Sequence, residues 1–167
     1  MPVSRAELFS FFAKLEIATS TVDHIPVFTV EQAQLVHGNI AGGHCKNLFC
    51  KDEKGVLWLI VALEDARIDL KAARDKIGSK RLTFAKPELL MEILGVEPGS
   101  VTPFGLINDK NASVNVILDQ AMMAHERLNF HPLKNDATTT IAADDLLKFI
   151  TACGHNPRIV AVSDNLL

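Results

Sequence analysis

The chain has 167 residues, 48% of them hydrophobic and 22% charged, with a formal net charge of −3. That apolar content is enough to offset ordering entropy, which excludes a disordered chain, and the length suits one domain over residues 1–167. The longest apolar run, 56–63, is far short of the roughly 18–20 residues that cross a bilayer, and the first residues lack a charged region followed by an apolar stretch. The acidic balance argues against a general nucleic-acid coat, though not against a local basic site.

Ser4 and Glu7 form a capping box ahead of Leu8, Phe11, Phe12 and Leu15, which predicts an amphipathic helix over 4–15. Thr29 and Gln32 repeat the box before a short helix closed by Gly38. Residues 42–63 read as a β-hairpin with its turn at Asp52, Glu53, Lys54 and Gly55 and a second strand buried on both faces. A helix is expected over 68–77, a short strand over 81–85, and a helix over 87–94 that starts at Pro87 and ends at Gly95. Two prolines and two glycines within 97–105 argue against any regular element there. Strands follow over 114–118, 128–131 and 138–141, then a helix over 144–153 closed by Gly154, then a strand over 158–162. Interspersed strands and helices with early hairpin spacing point to a mixed α/β domain.

Three cysteines, Cys45, Cys50 and Cys153, form no C-x-x-C pair, so a reduced cytoplasmic protein without a disulfide framework is expected. His44, Cys45 and Cys50 lack a second clean ligand pair and do not make a zinc site. No nucleophile elbow, phosphate-binding loop or dinucleotide fingerprint is present.

Four features carry chemistry. Residues 67–86 hold seven basic and two acidic side chains, a local balance of +5 that suits a phosphate backbone, or else a solvated helix face. Lys46 and Asn47 follow Gly42 and Gly43 at a strand start, where a lysine can meet a phosphate or carbonyl as a point charge, or simply face solvent. His131 precedes Pro132, which restricts its backbone. It suits a general base or donor, or a structural histidine bonded to the main chain. The loop from Gly99 to Pro103 could present consecutive backbone N–H groups to an oxyanion, or merely connect two elements.

The order of these features resembles a known family. Lys46, Asn47, Leu48 and Phe49, then the Asp52–Gly55 turn, then Gly99, Ser100, Val101, Thr102, Pro103, Phe104 and Gly105, then Asn129, Phe130, His131, Pro132, Asn135 and Thr139 are similar to the YbaK/ProX aminoacyl-tRNA editing domains. These are related to the insertion domain of bacterial prolyl-tRNA synthetase. The resemblance runs from about residue 4 to 163 and is greatest to the freestanding ProX-type branch, which clears alanine wrongly attached to tRNA(Pro).

The resemblance implies a curled mixed sheet or partial barrel surrounded by helices, with neither metal nor cofactor and no covalent intermediate. It implies that Lys46 contacts the terminal nucleotide, that Gly99 binds the aminoacyl carbonyl and positions water, and that His131 orients the terminal adenosine or assists proton movement. Asn47, Ser100, Val101, Thr102 and Pro103 would complete the substrate site, with Ile25 and Val27 as apolar walls. Lys71, Arg74, Lys80 and Arg81 would hold the tRNA backbone, and prolyl-tRNA synthetase is a candidate partner. Cys-tRNA(Pro) or another small aminoacyl-tRNA is the alternative substrate, and a noncatalytic module binding tRNA or a synthetase is the alternative class.

Overall fold

A computed structural model describes residues 1–26, 29–38 and 40–164. The elements in chain order are α1 (Arg5–Lys14), β1 (Thr19–Asp23), α2 (Val30–His37), β2 (Gly43–Asp52), β3 (Leu57–Leu63), α3 (Leu70–Ile77), β4 (Leu82–Phe84) and α4 (Pro87–Leu94). A 3₁₀ helix (Pro103–Asn108) follows, then β5 (Val114–Asp119), α5 (Gln120–Met123), β6 (Arg127–Phe130), β7 (Ala137–Ala142), α6 (Ala143–Ala152) and β8 (Arg158–Val160).

Local chemistry explains most of these boundaries. Both capping boxes form, Ser4 with Glu7 and Thr29 with Gln32. Pro87 opens α4, and Gly95 ends it in the left-handed conformation at φ 66°. The loop after it departs from expectation. Pro103 starts a 3₁₀ helix, where its missing N–H costs nothing, and the Thr102 hydroxyl accepts from Phe104 N at 3.2 Å. The strand β1 and the four-residue α5 were not anticipated, because Thr19–Asp23 has no apolar alternation.

The sheet is mixed and open, in the order β1-β7-β6-β2-β3-β5-β8, with β4 also on β2. Its centre is β3, antiparallel to β2 and parallel to β5, with Leu57 to Ala62 all buried. One face carries the larger core, where Phe12, Phe104 and Phe149 pack at centroid separations of 5.1–5.4 Å. The other face carries a smaller cluster of Cys50, Trp58, Ile60, Ile77, Leu82, Ile117 and Val162 beneath α3.

What positions the site is a fork at β2. Its inner edge pairs with β3 from Cys45 to Lys51. Its outer edge pairs in parallel with β6 only at Gly43 and His44, and antiparallel with β4 only from Cys50 to Asp52. Between those two contacts no strand among the described residues covers it. Asn129 pins the closed end of the fork. Its amide donates to the Ala41 carbonyl at 3.0 Å and the Gly43 carbonyl at 3.4 Å, and it accepts from the Thr140 hydroxyl.

Candidate active site

A cleft of about 250 Å³ opens where β2 and β6 separate, lined by His44, Cys45, Lys46, Asn47, Gly99, Val101, Asn129, Phe130, His131 and Thr138. Of the residues the sequence singled out, the structure brings Lys46, Asn47, Gly99, Val101 and His131 together here.

Strand alternation sends Lys46 and Asn47 to opposite faces of β2. Lys46 lies on the α3 side, and its amine donates to the Ala66 carbonyl. Asn47 lies on the side of the larger core, and its Oδ1 is buried without a hydrogen-bond partner. A buried amide oxygen left unpaired costs about 1–3 kcal/mol.

The backbone follows the same alternation. The Phe49 carbonyl accepts from Ala85 N on the outer side, whereas the His44 carbonyl accepts from Glu64 N on the inner side. The peptide groups of Asn47 therefore face the uncovered edge.

Gly99 sits in a turn in which Ser100 N donates to the Glu97 carbonyl at 3.0 Å. Pro98 and Gly99 take the two central positions, with Gly99 at φ 89°, a pattern that favours glycine. A Cβ there would approach only Asn135 Nδ2, at 3.9 Å, so the constraint is conformational and not spatial. This turn breaks the expected run of N–H donors, because Ser100 N–H is already used and Pro103 has none. Ser100, Thr102 and Pro103 are buried away from the cleft, with Thr102 serving as the helix cap.

His131 lines the cleft and is bonded to the main chain at one ring nitrogen. Nδ1 bonds the Ala137 carbonyl at 2.9 Å. A carbonyl only accepts, so Nδ1 carries the proton and Nε2 of the neutral ring is an acceptor. Burial chiefly, and the nearby His24, pull its pKa below the ordinary value, against the raising effects of the Ala137 bond and Asp136. The His24 ring stands edge-on to it at 6.3 Å and bonds the Thr138 hydroxyl at 2.8 Å.

The apolar wall is placed differently. Ile25 is 66% exposed and does not line the cleft, and Val27 lies outside the described residues. His44, Cys45, Asn129, Phe130 and Thr138 were not singled out as site residues. Asn129 and Phe130 stand beside His131 in the recognised motif, a signal that was available. Burial, with the Glu64 charge adding to it, pushes the Cys45 thiol up to about 12 against a bond from the Asn129 backbone, which disfavours the nucleophilic thiolate.

Lys71, Arg74 and Arg81 line a separate recess of about 270 Å³ beside Leu70 and Leu82, and the Lys80 side chain is exposed next to it. None of the four is in an ion pair among the described residues. No three His, Cys, Asp or Glu side chains among the described residues are grouped to hold a metal. No described helix is long and apolar enough to cross a membrane.

The sequence pattern of the aminoacyl-tRNA editing domain matches residues 24–149, which include every residue lining the cleft. The chain belongs to the aminoacyl-tRNA editing domain family. It is accordingly a deacylase acting on aminoacyl-tRNA esters. It is 37% identical over 148 residues to the prolyl-tRNA editing protein ProX of Acetoanaerobium sticklandii, covering 88% of this chain and 90% of that one. It is 38% identical over 161 residues to prolyl-tRNA synthetase associated domain-containing protein 1 of Mus musculus, covering 93% and 95%. A crystal structure described as a candidate trans-editing enzyme for prolyl-tRNA synthetase superposes with a TM-score of 0.69 over 96% of this chain and 98% of that one. At 21% identity that likeness establishes the editing-domain fold.

Proposed function

We propose that this editing domain removes alanine from Ala-tRNA(Pro) in trans, by ester hydrolysis at the tRNA 3′ end without a metal ion. The observation that carries this reading is the convergence of Lys46, Asn47, Gly99 and His131 in one cleft of about 250 Å³ at the strand fork. Resemblance to an editing protein for prolyl-tRNA supports the choice of tRNA.

The need for such a site is energetic. A pocket built for proline rejects the smaller alanine by only about 1–3 kcal/mol per missing methylene. A second, narrow site corrects the product after transfer, and the small cleft favours a small acyl group.

In this reading Lys46 leaves the Ala66 carbonyl for the terminal nucleotide, supplying charge where the phosphate or ribose sits. The Gly99 turn and the open peptide groups of Asn47 hold the aminoacyl carbonyl. His131 Nε2 accepts a hydrogen bond from the attacking water or the neighbouring ribose hydroxyl. Water adds to the carbonyl carbon, the bond from that carbon to the ribose oxygen breaks, and the proton passes to the leaving oxygen. The products are free alanine and uncharged tRNA. Positioning and electrostatics supply most of the acceleration, since no covalent nucleophile is required. Lys71, Arg74, Lys80 and Arg81 take the tRNA backbone, and prolyl-tRNA synthetase is the partner that delivers the mischarged product.

The test is deacylation of Ala-tRNA(Pro) beside Cys-tRNA(Pro), Pro-tRNA(Pro) and Ala-tRNA(Ala), with Lys46→Ala as control and a chelator in a parallel reaction. Rapid loss of alanine from tRNA(Pro) alone, unaffected by chelation and abolished in the control, is expected. Preferential hydrolysis of Cys-tRNA(Pro) would replace the substrate, and loss of activity on chelation would replace the mechanism.

A further inference from the structure

Phe84 is a large aromatic side chain left 63% exposed on the edge strand β4. The core does not need it there, since its strand neighbour Leu82 is buried in the smaller cluster and Ala85 packs against the larger one. Strand register fixes which face it occupies. Phe84 lies opposite Cys50, and Cys50, Leu48 and Lys46 alternate onto the same face of β2. Phe84 and the Lys46 amine therefore share the α3 side of the sheet, while Asn47 faces the other side. From Lys46 to Cys50 is four residues of strand, or about 13 Å.

Beyond Phe84 on that same side lies the recess lined by Lys71, Arg74 and Arg81. In strand order this side therefore carries a lysine, an exposed ring and a cationic recess. A cationic groove punctuated by an aromatic platform is the chemistry that holds unpaired nucleic acid, because every base has a face to stack.

We propose that Phe84 is a stacking platform for an unpaired nucleotide next to the reacting end of the tRNA, with the Lys71–Arg74–Arg81 recess taking a phosphate beyond it. This rests on the reading of the cleft as a deacylation site. The acyl group enters the side of β2 that Asn47 faces, and the nucleotide chain leaves along the side that Lys46 and Phe84 share. The ring contributes equally to ground-state and transition-state binding, so its loss raises KM and leaves kcat alone.

The experiment compares Phe84→Ala, Phe84→Leu and Phe84→Trp with the wild-type chain. It reads steady-state deacylation of Ala-tRNA(Pro), the affinity for a single-stranded ribonucleotide with the sequence of the tRNA 3′ end, and the melting temperature. The alanine and leucine variants are expected to raise KM and weaken oligonucleotide binding by about tenfold or more at unchanged kcat, with tryptophan restoring both. Melting should barely move, since the ring is exposed.

Wild-type turnover with equal KM in Phe84→Ala overturns the stacking role while leaving the deacylase reading intact. Full rescue by leucine overturns it too, because an apolar surface without a π-face would suffice. A wild-type chain that hydrolyses no mischarged tRNA defeats the parent reading, and with it this one.

Discussion

The two ends of β2 handle polar groups in opposite ways. At the far end, Asp52 is buried, yet its carboxylate accepts from Lys54 N, Val56 N, Lys80 N and the Trp58 indole at 2.9–3.3 Å. There β4 seals the outer edge. At the near end, among the described residues, Asn47 Oδ1 has no partner, the Lys46 amine rests on a loop carbonyl, and no strand covers the edge. One strand therefore holds a satisfied polar hub at its far end and an unsatisfied one at the fork. The contrast teaches that a buried polar residue is not by itself a functional signal. Incomplete bonding beside a cleft is what makes Asn47 a candidate for a ligand, where Asp52 is a structural group.

Substitutions at the two ends should have separable effects. The largest belongs to Lys46→Ala, which should lower kcat/KM for Ala-tRNA(Pro) by about 10²–10³-fold with little change in melting temperature. A comparable loss of stability would move Lys46 into the structural class. Next is Asp52→Ala, which strands four donors and should destabilise the fold by about 3 kcal/mol in urea denaturation, while activity per folded molecule persists.

Acidity should sharpen the same contrast. Although burial disfavours its charge, bonds from Val56, Trp58, Lys80 and Lys54 hold the Asp52 carboxyl below its ordinary value of 3.8. A depressed folded-state value gives stability that is present above the unfolded value and lost as pH falls through the folded one. The stability gap between wild type and Asp52→Asn should therefore close on acidification below pH 3.8. Activity should fail at a different point. The neutral, accepting form of His131 persists below the ordinary histidine value of 6.5, so the acid limb of kcat/KM should fall below that pH and vanish in His131→Asn. The smallest effect is expected at Thr102→Ala, about 1 kcal/mol of stability for a lost cap, with kcat unchanged.

Elements with local signals were legible in the sequence. The two capping boxes, the Pro87-to-Gly95 helix and the apolar β3 each carry their own chemistry. Strand β1 was not legible because its pairing with β7 relies on main-chain bonds and Thr21–Thr139 contact, not on apolar alternation. The 3₁₀ helix was missed because its prolines and glycines read only as breakers, although Thr102 and Pro103 form a sound start.

The site was legible as an ordered set of motifs and not as a geometry. Lys46, Gly99 and His131 meet because β2 pairs in parallel with β6, a contact between distant segments that no local pattern encodes. The same limit explains Ser100, Thr102 and Pro103. They adjoin Gly99 in the chain, but a tight turn points them into the interior, whereas Val101 faces the cleft. Ile25 was selected for being apolar, and the fold leaves it facing solvent.

The Asn129 clamp gives the fork a further property. Its amide bridges to the strand beside Gly42, which adopts φ 105° and where an added Cβ would lie 3.0 Å from Asn129 Nδ2. The hinge point of the two strands is thus fixed by glycine and one amide, outside the groups assigned to the chemistry. The fork behaves as a caliper locked at its joint, and in the proposed reaction the gap at its jaws would measure the acyl group. Changes at the joint would reset the accepted size while every reacting group stayed in place.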